Sequence, residues 1–279
     1  MKVCRIVTAG ATALAASAIV GTVPPAVQAS SASTATWTKQ HPATSPPARE
    51  DAAMAYDAAT GTAVLFGGSG DLDDTWTWNG ATWTQQHPAT SPPARQAAAM
   101  AYDAATGTVV LFGGFGSSSL LGDTWTWNGT TWTQQHPATS PSIRGYAAAA
   151  CDVATGTVVL FGGERPDGAN FRDTWTWNGT TWTQQHQATS PRARQGTAMA
   201  YDAVTGAVVL FGGFNSRTSP NYLGDTWTWD GTTWTKQQPA AHPSARDVAA
   251  VADAATGTVV LFGGGSPDGG VFGDTWTWG

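Results

Sequence analysis

The chain has 279 residues, of which 11% are charged, and its formal net charge is −6 at pH 7. Binding to nucleic acid requires clustered Lys and Arg that neutralise phosphates, so this charge balance argues against that function. The 33 glycines and 16 prolines indicate many turns, but they fall short of the composition of a disordered chain. The length is ample for one large core or for an array of repeats.

The first 29 residues have the pattern of a secretory signal peptide. Lys2 and Arg5 form a positively charged start, residues 6–23 are apolar and rich in alanine, and residues 27–29 form a small-residue cleavage site. A membrane anchor is the alternative, but glycines and Pro24 interrupt the apolar stretch, whereas a spanning helix needs about 20 apolar residues. We therefore expect a secreted, extracellular protein that has no membrane span after cleavage.

The rest of the chain repeats five times. Neighbouring Phe-Gly-Gly triplets lie 46, 49, 50 and 51 residues apart, beginning at Phe66, Phe112, Phe161, Phe211 and Phe262. An arginine precedes each triplet, at Arg49, Arg95, Arg144, Arg194 and Arg246. An Asp-Thr-Trp follows each, beginning at Asp74, Asp123, Asp173, Asp225 and Asp274. A period near 50 residues is that of a four-stranded propeller blade rather than of a helical solenoid.

Each repeat divides into four predicted strands, as the second repeat shows. An alanine-rich strand at 96–102 suits the crowded centre of a ring, and the apolar run at 108–112 suits a strand with both faces buried. The third strand, 123–127, places two tryptophans on one face and two threonines on the other. Asn128-Gly129 then predicts a tight hairpin to a fourth strand around Trp132.

The two ends of the chain supply complementary parts of one blade. The last repeat stops after its third strand, while residues 36–40 match a fourth strand and carry Trp37. We predict an all-β fold, a propeller of five four-stranded blades that this N-terminal strand closes. The expected blades are residues 49–87, 95–136, 144–186, 194–238, and 246–278 together with 35–40. An open array, or one assembled from more than one chain, is the alternative.

The repeat resembles the kelch repeat over essentially the whole chain after the signal peptide. Its double glycines are Gly67, Gly68, Gly113, Gly114, Gly162, Gly163, Gly212, Gly213, Gly263 and Gly264. Its aromatic pairs are Trp78 and Trp83, Trp127 and Trp132, Trp177 and Trp182, Trp229 and Trp234, and Trp278 with Trp37. The tryptophan that opens each pair stands where the family usually has tyrosine, and five blades are fewer than the family usually has. These residues are expected to build the scaffold, with the tryptophans packed between blades.

The sequence contains no recognisable catalytic constellation. The resemblance extends to galactose oxidase, whose copper site implies His and Tyr ligands and a modified Cys, but no matching set is present. One repeat position beside the outermost strand holds His41, His87, His136 and His186, so these side chains would not converge on one metal ion. Cys151 stands where other repeats have a strand tyrosine, and we expect this cysteine to be buried. We expect no catalytic residues, no metal and no cofactor. A secreted carbohydrate-active or oxidase enzyme remains the alternative, as does a wall-associated spacer.

The segments between the second and third strands differ most between repeats, and variable loops on a rigid scaffold are where binding usually resides. The candidate binding residues in these loops are Asp71, Asp73, Phe115, Leu120, Arg165, Asp167, Arg172, Phe214, Arg217, Tyr222 and Asp268. The repeated arginines are expected on the same rim, tying adjacent blades or attracting an anion. We expect a monomer with an unknown protein or glycan partner and no nucleic-acid partner.

Overall fold

A computed structural model gives the fold of the chain and describes residues 39–253 and 258–279. All regular structure in these residues is β-strand, arranged in five antiparallel sheets. No helix in the described ranges is long and apolar enough to cross a membrane. The predicted signal peptide and residues 35–38 of the predicted closing strand lie outside the described residues.

The strands follow the predicted order, with the first strand of every sheet near the axis and the last at the periphery. The first strands are β1 (Ala53–Asp57), β5 (Ala99–Asp103), β9 (Ala148–Asp152), β13 (Ala198–Asp202) and β17 (Ala250–Asp253). The second strands are β2 (Thr62–Phe66), β6 (Thr108–Phe115), β10 (Thr157–Phe161), β14 (Ala207–Phe211) and β18 (Val259–Phe262). The third strands are β3 (Thr75–Trp78), β7 (Leu120–Trp127), β11 (Thr174–Trp177), β15 (Thr226–Trp229) and β19 (Thr275–Trp278). The fourth strands are β4 (Trp83–Gln86), β8 (Trp132–Gln135), β12 (Trp182–Gln185) and β16 (Trp234–Gln237).

In three of the four described fourth strands, the tryptophan packs against the preceding blade. Trp132 of the second blade meets Phe66 of the first edge-on, with ring centroids 5.5 Å apart. Its indole Nε1 also donates a hydrogen bond to Thr75 Oγ1 at 2.9 Å. Trp182 and Trp234 repeat this contact in the next two blades. These three tryptophans therefore pack between neighbouring blades.

The axis is built from the alanine-rich first strands, which lie side by side from blade to blade. A cavity of 390 Å³ on the axis is lined by side chains from all five of these strands, Met100 and Tyr201 among them. Cys151 also lines the cavity; it is a strand residue, as expected, but it is half-buried rather than buried. Small residues fit here because the strands converge most closely at the axis of a ring.

The protein is therefore an all-β, five-bladed propeller, as predicted. In the described residues four sheets have four strands and the fifth has three, β17, β18 and β19. The faces of the first and last blades that would meet are more exposed than their equivalents. Phe262 of the last blade is 37% exposed, whereas Phe66 in the same repeat position is 1% exposed. Closure by the N-terminal strand stays a prediction.

Candidate functional site

The five loops between second and third strands, together with the links between blades, lie on one side of the propeller, here called the loop rim (residues 69–73, 115–122, 164–172, 214–224 and 265–273). Backbone hydrogen bonds establish this arrangement. The amide of Arg144, in the link to the third blade, donates to the carbonyl of Leu121 in the loop of the second blade at 3.0 Å. Arg95, Arg194 and Arg246 make the same bond to the loop that precedes them.

A buried arginine anchors each of these links. Arg144 has no exposed side-chain surface; its guanidinium donates two hydrogen bonds to Asp173 at 2.7 and 2.9 Å and one to the carbonyl of Gly162. Trp175 Nε1 donates to the same carboxylate at 2.7 Å. The guanidinium thus binds its own blade, and only the arginine backbone reaches the preceding one. The expectation that the side chains tie adjacent blades was wrong, and their burial in ion pairs removes them from the surface.

Electrostatics hold the partner carboxylates in the charged state. Burial alone would raise the pKa of Asp173, but the hydrogen bonds and positive charge of Arg144 and the bond from Trp175 lower it on balance. The same causes lower the pKa of Asp123 and Asp225. For Asp74 and Asp274 the hydrogen bond from the arginine is the largest cause, and the pKa is again lowered. Five ion pairs between a buried arginine and a charged aspartate therefore form the base of the loop rim.

The predicted binding residues divide into exposed and packed groups. Asp71, Asp73 and Asp268 are exposed on their loops. Phe115 and Leu120 pair with each other in an extension of β6 and β7 that the sequence did not predict. The ring of Phe214 packs edge-on against Tyr222, with centroids 5.1 Å apart.

Charged residues of two neighbouring loops meet on the loop rim. Asp167 of the third blade lies 3.4 Å from Arg165 of its own loop and 3.9 Å from Arg217 of the fourth blade. The Arg217 guanidinium also donates a hydrogen bond to the backbone carbonyl of Asp167 at 2.8 Å. Both arginines remain about half exposed, with side-chain exposures of 48% and 57%. The structure thus brings three of the predicted residues together. A fourth, Arg172, is exposed and donates to Ser190 at 3.0 Å.

Apolar residues that precede the Asp-Thr-Trp motif fold back over the blade. The ring of Phe171 lies 3.9 Å from the guanidinium of Arg144, and the ring of Phe272 lies 4.0 Å from that of Arg246. Leu223 is buried in the equivalent place. Cation–π contacts of this kind help to cover the buried arginines. These side chains belong to the scaffold, so they leave the polar loop residues as the contact surface.

Sequence reasoning missed a contact at the axial end of the loop rim. Tyr146 of the third blade donates its hydroxyl hydrogen to Asp51 of the first blade at 2.8 Å, although the two are 95 residues apart. Burial and the negative charge of Asp51 raise the pKa of Tyr146. Backbone bonds run from Val248 through Gly196, Tyr146 and Ala97 to Asp51, one blade to the next. The sequence feature that could have indicated this contact is the residue two places after each repeated arginine, because a different amino acid occupies this position in every blade.

In residues 39–253 and 258–279, no group of three His, Cys, Asp or Glu residues is arranged to hold a metal ion. The five histidines are all exposed. His242 contacts the carbonyl of the next residue, Pro243, at 2.9 Å.

Five sheets around an axis, with a double glycine and a buried arginine in every one, define a repeat propeller of the kelch type. A family model described as the KLHDC2/KLHL20/DRC7 Kelch-repeats domain matches residues 25–178. The chain belongs to this kelch-repeat family. No curated protein matches it. Kelch propellers are typically protein-binding scaffolds without enzymatic activity.

Proposed function

We propose that this protein is a secreted, non-catalytic kelch-repeat scaffold that binds a protein or glycan partner through its loop rim. The observation that carries the proposal is the contrast between a repeated base and divergent loops on the same side of the molecule. Five ion pairs of nearly identical geometry hold the links between blades. The loops above them differ in length and composition, and loops on a rigid scaffold commonly carry binding residues.

The exposed side chains of the loop rim are suited to recognition. Arg165 and Arg217 present guanidinium groups that are fixed on one side by Asp167 and open to solvent on the other. A guanidinium held in this way loses little side-chain entropy when it binds, because its rotamer is already restricted. Tyr222 adds an aromatic ring, the residue type enriched in the energetic centres of interfaces.

Binding to protein and glycan arrays tests this assignment. The wild-type chain is compared with the triple variant Arg165→Ala, Arg217→Ala and Tyr222→Ala. We expect the variant to lose the partner that the wild type binds. Its thermal unfolding should change little, because Arg165 and Arg217 are exposed loop side chains and Tyr222 is only half-buried.

A matched control changes three exposed residues on the opposite side of the propeller, Thr130→Ala, Thr180→Ala and Val204→Ala. This control should bind as the wild type does. Equal binding by the loop variant would show that the loop rim is not the binding surface.

Secretion is tested separately by expressing the full chain in a bacterial host with a general secretory pathway. We expect the protein in the medium to begin at Ser30, which N-terminal sequencing reads directly. Recovery of the chain only inside cells, with its first 29 residues intact, would contradict secretion.

A further inference from the structure

The positive charge on the surface of this acidic protein is concentrated on two blades. Eleven basic residues follow residue 29, and five of them are buried in the ion pairs at the base of the loop rim. The other six are exposed. Five of those six belong to the third and fourth blades or the link between them: Arg165, Arg172, Arg192, Arg217 and Lys236. The exposed surface of the third and fourth blades therefore favours the binding of a negatively charged ligand.

Two of these cations are departures from the repeat. Arg192 stands where the other copies have Pro47, Pro93, Ser142 and Ser244. Lys236 pairs across the hairpin with Trp227, in the register position that holds Gln85, Gln134 and Gln184 in the first three blades. The scaffold does not require either charge, since glutamine or an uncharged residue serves the same position elsewhere.

The backbone of the link confirms that the Arg192 side chain is dispensable for the fold. Its carbonyl accepts a hydrogen bond from Arg194 Nε at 3.0 Å. Pro93, Ser142 and Ser244 accept the equivalent bond at the same distance. Within the described residues, neither Arg192 nor Lys236 forms an ion pair with a carboxylate. Both charges are therefore available to a ligand.

Arg192 and Lys236 line the same groove on the loop rim, between the loops of the fourth and fifth blades. The groove has a volume of 360 Å³, which is within the range of small-ligand sites. Tyr222, Pro220 and Pro267 give it flat apolar surfaces, and Asn221 adds an amide. Asp225 also lines it, but that carboxylate is bonded to buried Arg194 at 2.6 and 2.9 Å.

We propose that this groove binds an acidic saccharide, a chain of pyranose units that carry carboxylate groups. Arg192 and Lys236 pair with the carboxylates, and Asn221 bonds the ring hydroxyls. The proposal rests on the assignment of the loop rim as the binding surface, and it names the class of ligand.

An acidic peptide would share the charge interactions but not the rest of the groove. The apolar C–H face of a pyranose ring can stack on an aromatic side chain, and the ring of Tyr222 in the groove is positioned by its edge-on contact with Phe214. The pyrrolidine rings of Pro220 and Pro267 widen this flat surface. The groove therefore favours a ring with hydroxyls and a charge over an extended peptide with charge alone.

Calorimetric titration of the full chain with tetragalacturonate tests the proposal, with its methyl ester and tetraglutamate as comparison probes. The groove variant is Arg192→Ser with Lys236→Gln, which restores residues found in other blades. The control variant, Lys39→Gln with Thr130→Glu, lowers the net charge by the same two units at exposed residues that do not line the groove. We expect the groove variant to bind tetragalacturonate at least tenfold more weakly than the wild type does. The wild type should bind the methyl ester with a similarly reduced affinity, and the control variant should bind tetragalacturonate as the wild type does.

The proposal fails if tetragalacturonate does not bind, or if the groove variant and control variant bind it equally. Tight binding of tetraglutamate that is lost in the groove variant would reassign the groove to an acidic peptide. A third outcome separates this proposal from the proposed function. If the wild type does not bind tetragalacturonate, but binds another array partner that the loop variant loses, the loop rim stays the binding surface and only the assignment of an acidic saccharide is wrong.

Discussion

At the scale of single residues, the buried arginine of each blade makes the side-chain hydrogen bonds that hold distant parts of that blade together. Its guanidinium satisfies a carboxylate, a glycine carbonyl and a second backbone carbonyl at once, as Arg144 shows. The sequence revealed that an arginine and an aspartate recur in each repeat. Their pairing within one blade requires the chain to fold back across a separation of 29 positions, which only the tertiary structure shows.

Replacing Asp173 with Asn should destabilise the protein strongly. The charge of Arg144 would remain fully buried without its counter-ion, and breaking a buried pair from one side costs about 3–5 kcal/mol. Urea unfolding measures this free energy. Asp268→Asn, at an exposed loop position, should change it by less than about 0.5 kcal/mol. Equal stability of the two variants would mean that the pair contributes nothing.

The ion pairs also predict how stability depends on pH. The pKa of each partner aspartate is lowered from 3.8 in the folded protein, so its stabilisation is fully present above that value and is lost as the pH falls through the folded pKa. Burial raises the pKa of Asp103 and of Asp247, which acts in the opposite direction, but the aspartates with a lowered pKa in the ion pairs number five. We expect the melting temperature to fall steeply below about pH 4 and the slope to be shallower in Asp173→Asn. A flat profile down to pH 3 would contradict this.

At the scale of the element, the double glycine that ends each second strand permits a close approach between blades. Gly113 has a φ of +67°, and a Cβ there would lie 2.6 Å from the carbonyl oxygen of Arg144 in the next link. The sequence identified these glycines from their recurrence. The blade-to-blade contact that excludes a side chain became visible only in three dimensions.

The variant Gly113→Ala should therefore cost about 2 kcal/mol or more, because backbone strain and a steric clash act together. Gly70→Ala is the matched control, since Gly70 also has a positive φ (+91°) but nothing within 4 Å of its Cβ position. Chemical unfolding compares the two. The clash is not the cause if both variants lose the same stability.

A second element-scale expectation concerns the strand at 36–40. The hydroxyl of Thr44 donates to the carbonyl of Trp83, as Thr139 donates to Trp182 and Thr189 to Trp234. Thr139 and Thr189 each follow a fourth-strand tryptophan by seven residues, and Thr44 follows Trp37 by the same interval. The link that contains Thr44 therefore has the register of one that leaves a fourth strand. This supports the prediction that the preceding residues complete the last blade.

Deleting residues 30–40 should consequently lower the melting temperature sharply, because β19 would lose its partner and Trp278 its aromatic pair. Differential scanning calorimetry of the deletion variant and of Trp37→Ala measures this. An unaltered melting temperature in both variants would refute closure by this strand.

At the scale of the whole molecule, the first and last blades carry faces that match those buried elsewhere between neighbours. Phe262 and Trp83 occupy the positions of Phe66 and Trp132, which are in contact inside the ring. Pairing of these faces within one chain would close the propeller, and pairing between chains would build a head-to-tail assembly.

We expect closure within one chain and therefore a monomer, because an intramolecular pairing involves a far higher effective concentration. Light scattering coupled to size exclusion should give one chain at every concentration tested. The variant Phe262→Glu should lower the melting temperature while leaving the mass unchanged. A mass that rises with concentration in the wild type, and falls in Phe262→Glu, would show assembly between chains instead.

The sequence by itself determined the number of blades, the order of strands and the side on which the divergent loops lie. It could do so because a repeated pattern of small, apolar and turn residues leaves each unit only one way to bury its tryptophans. The partners of the buried arginines, the bond from Tyr146 to Asp51 and the groove between Arg192 and Lys236 were decided by tertiary structure. These features join residues from distant parts of the chain, and their distances depend on how the blades are arranged around the axis.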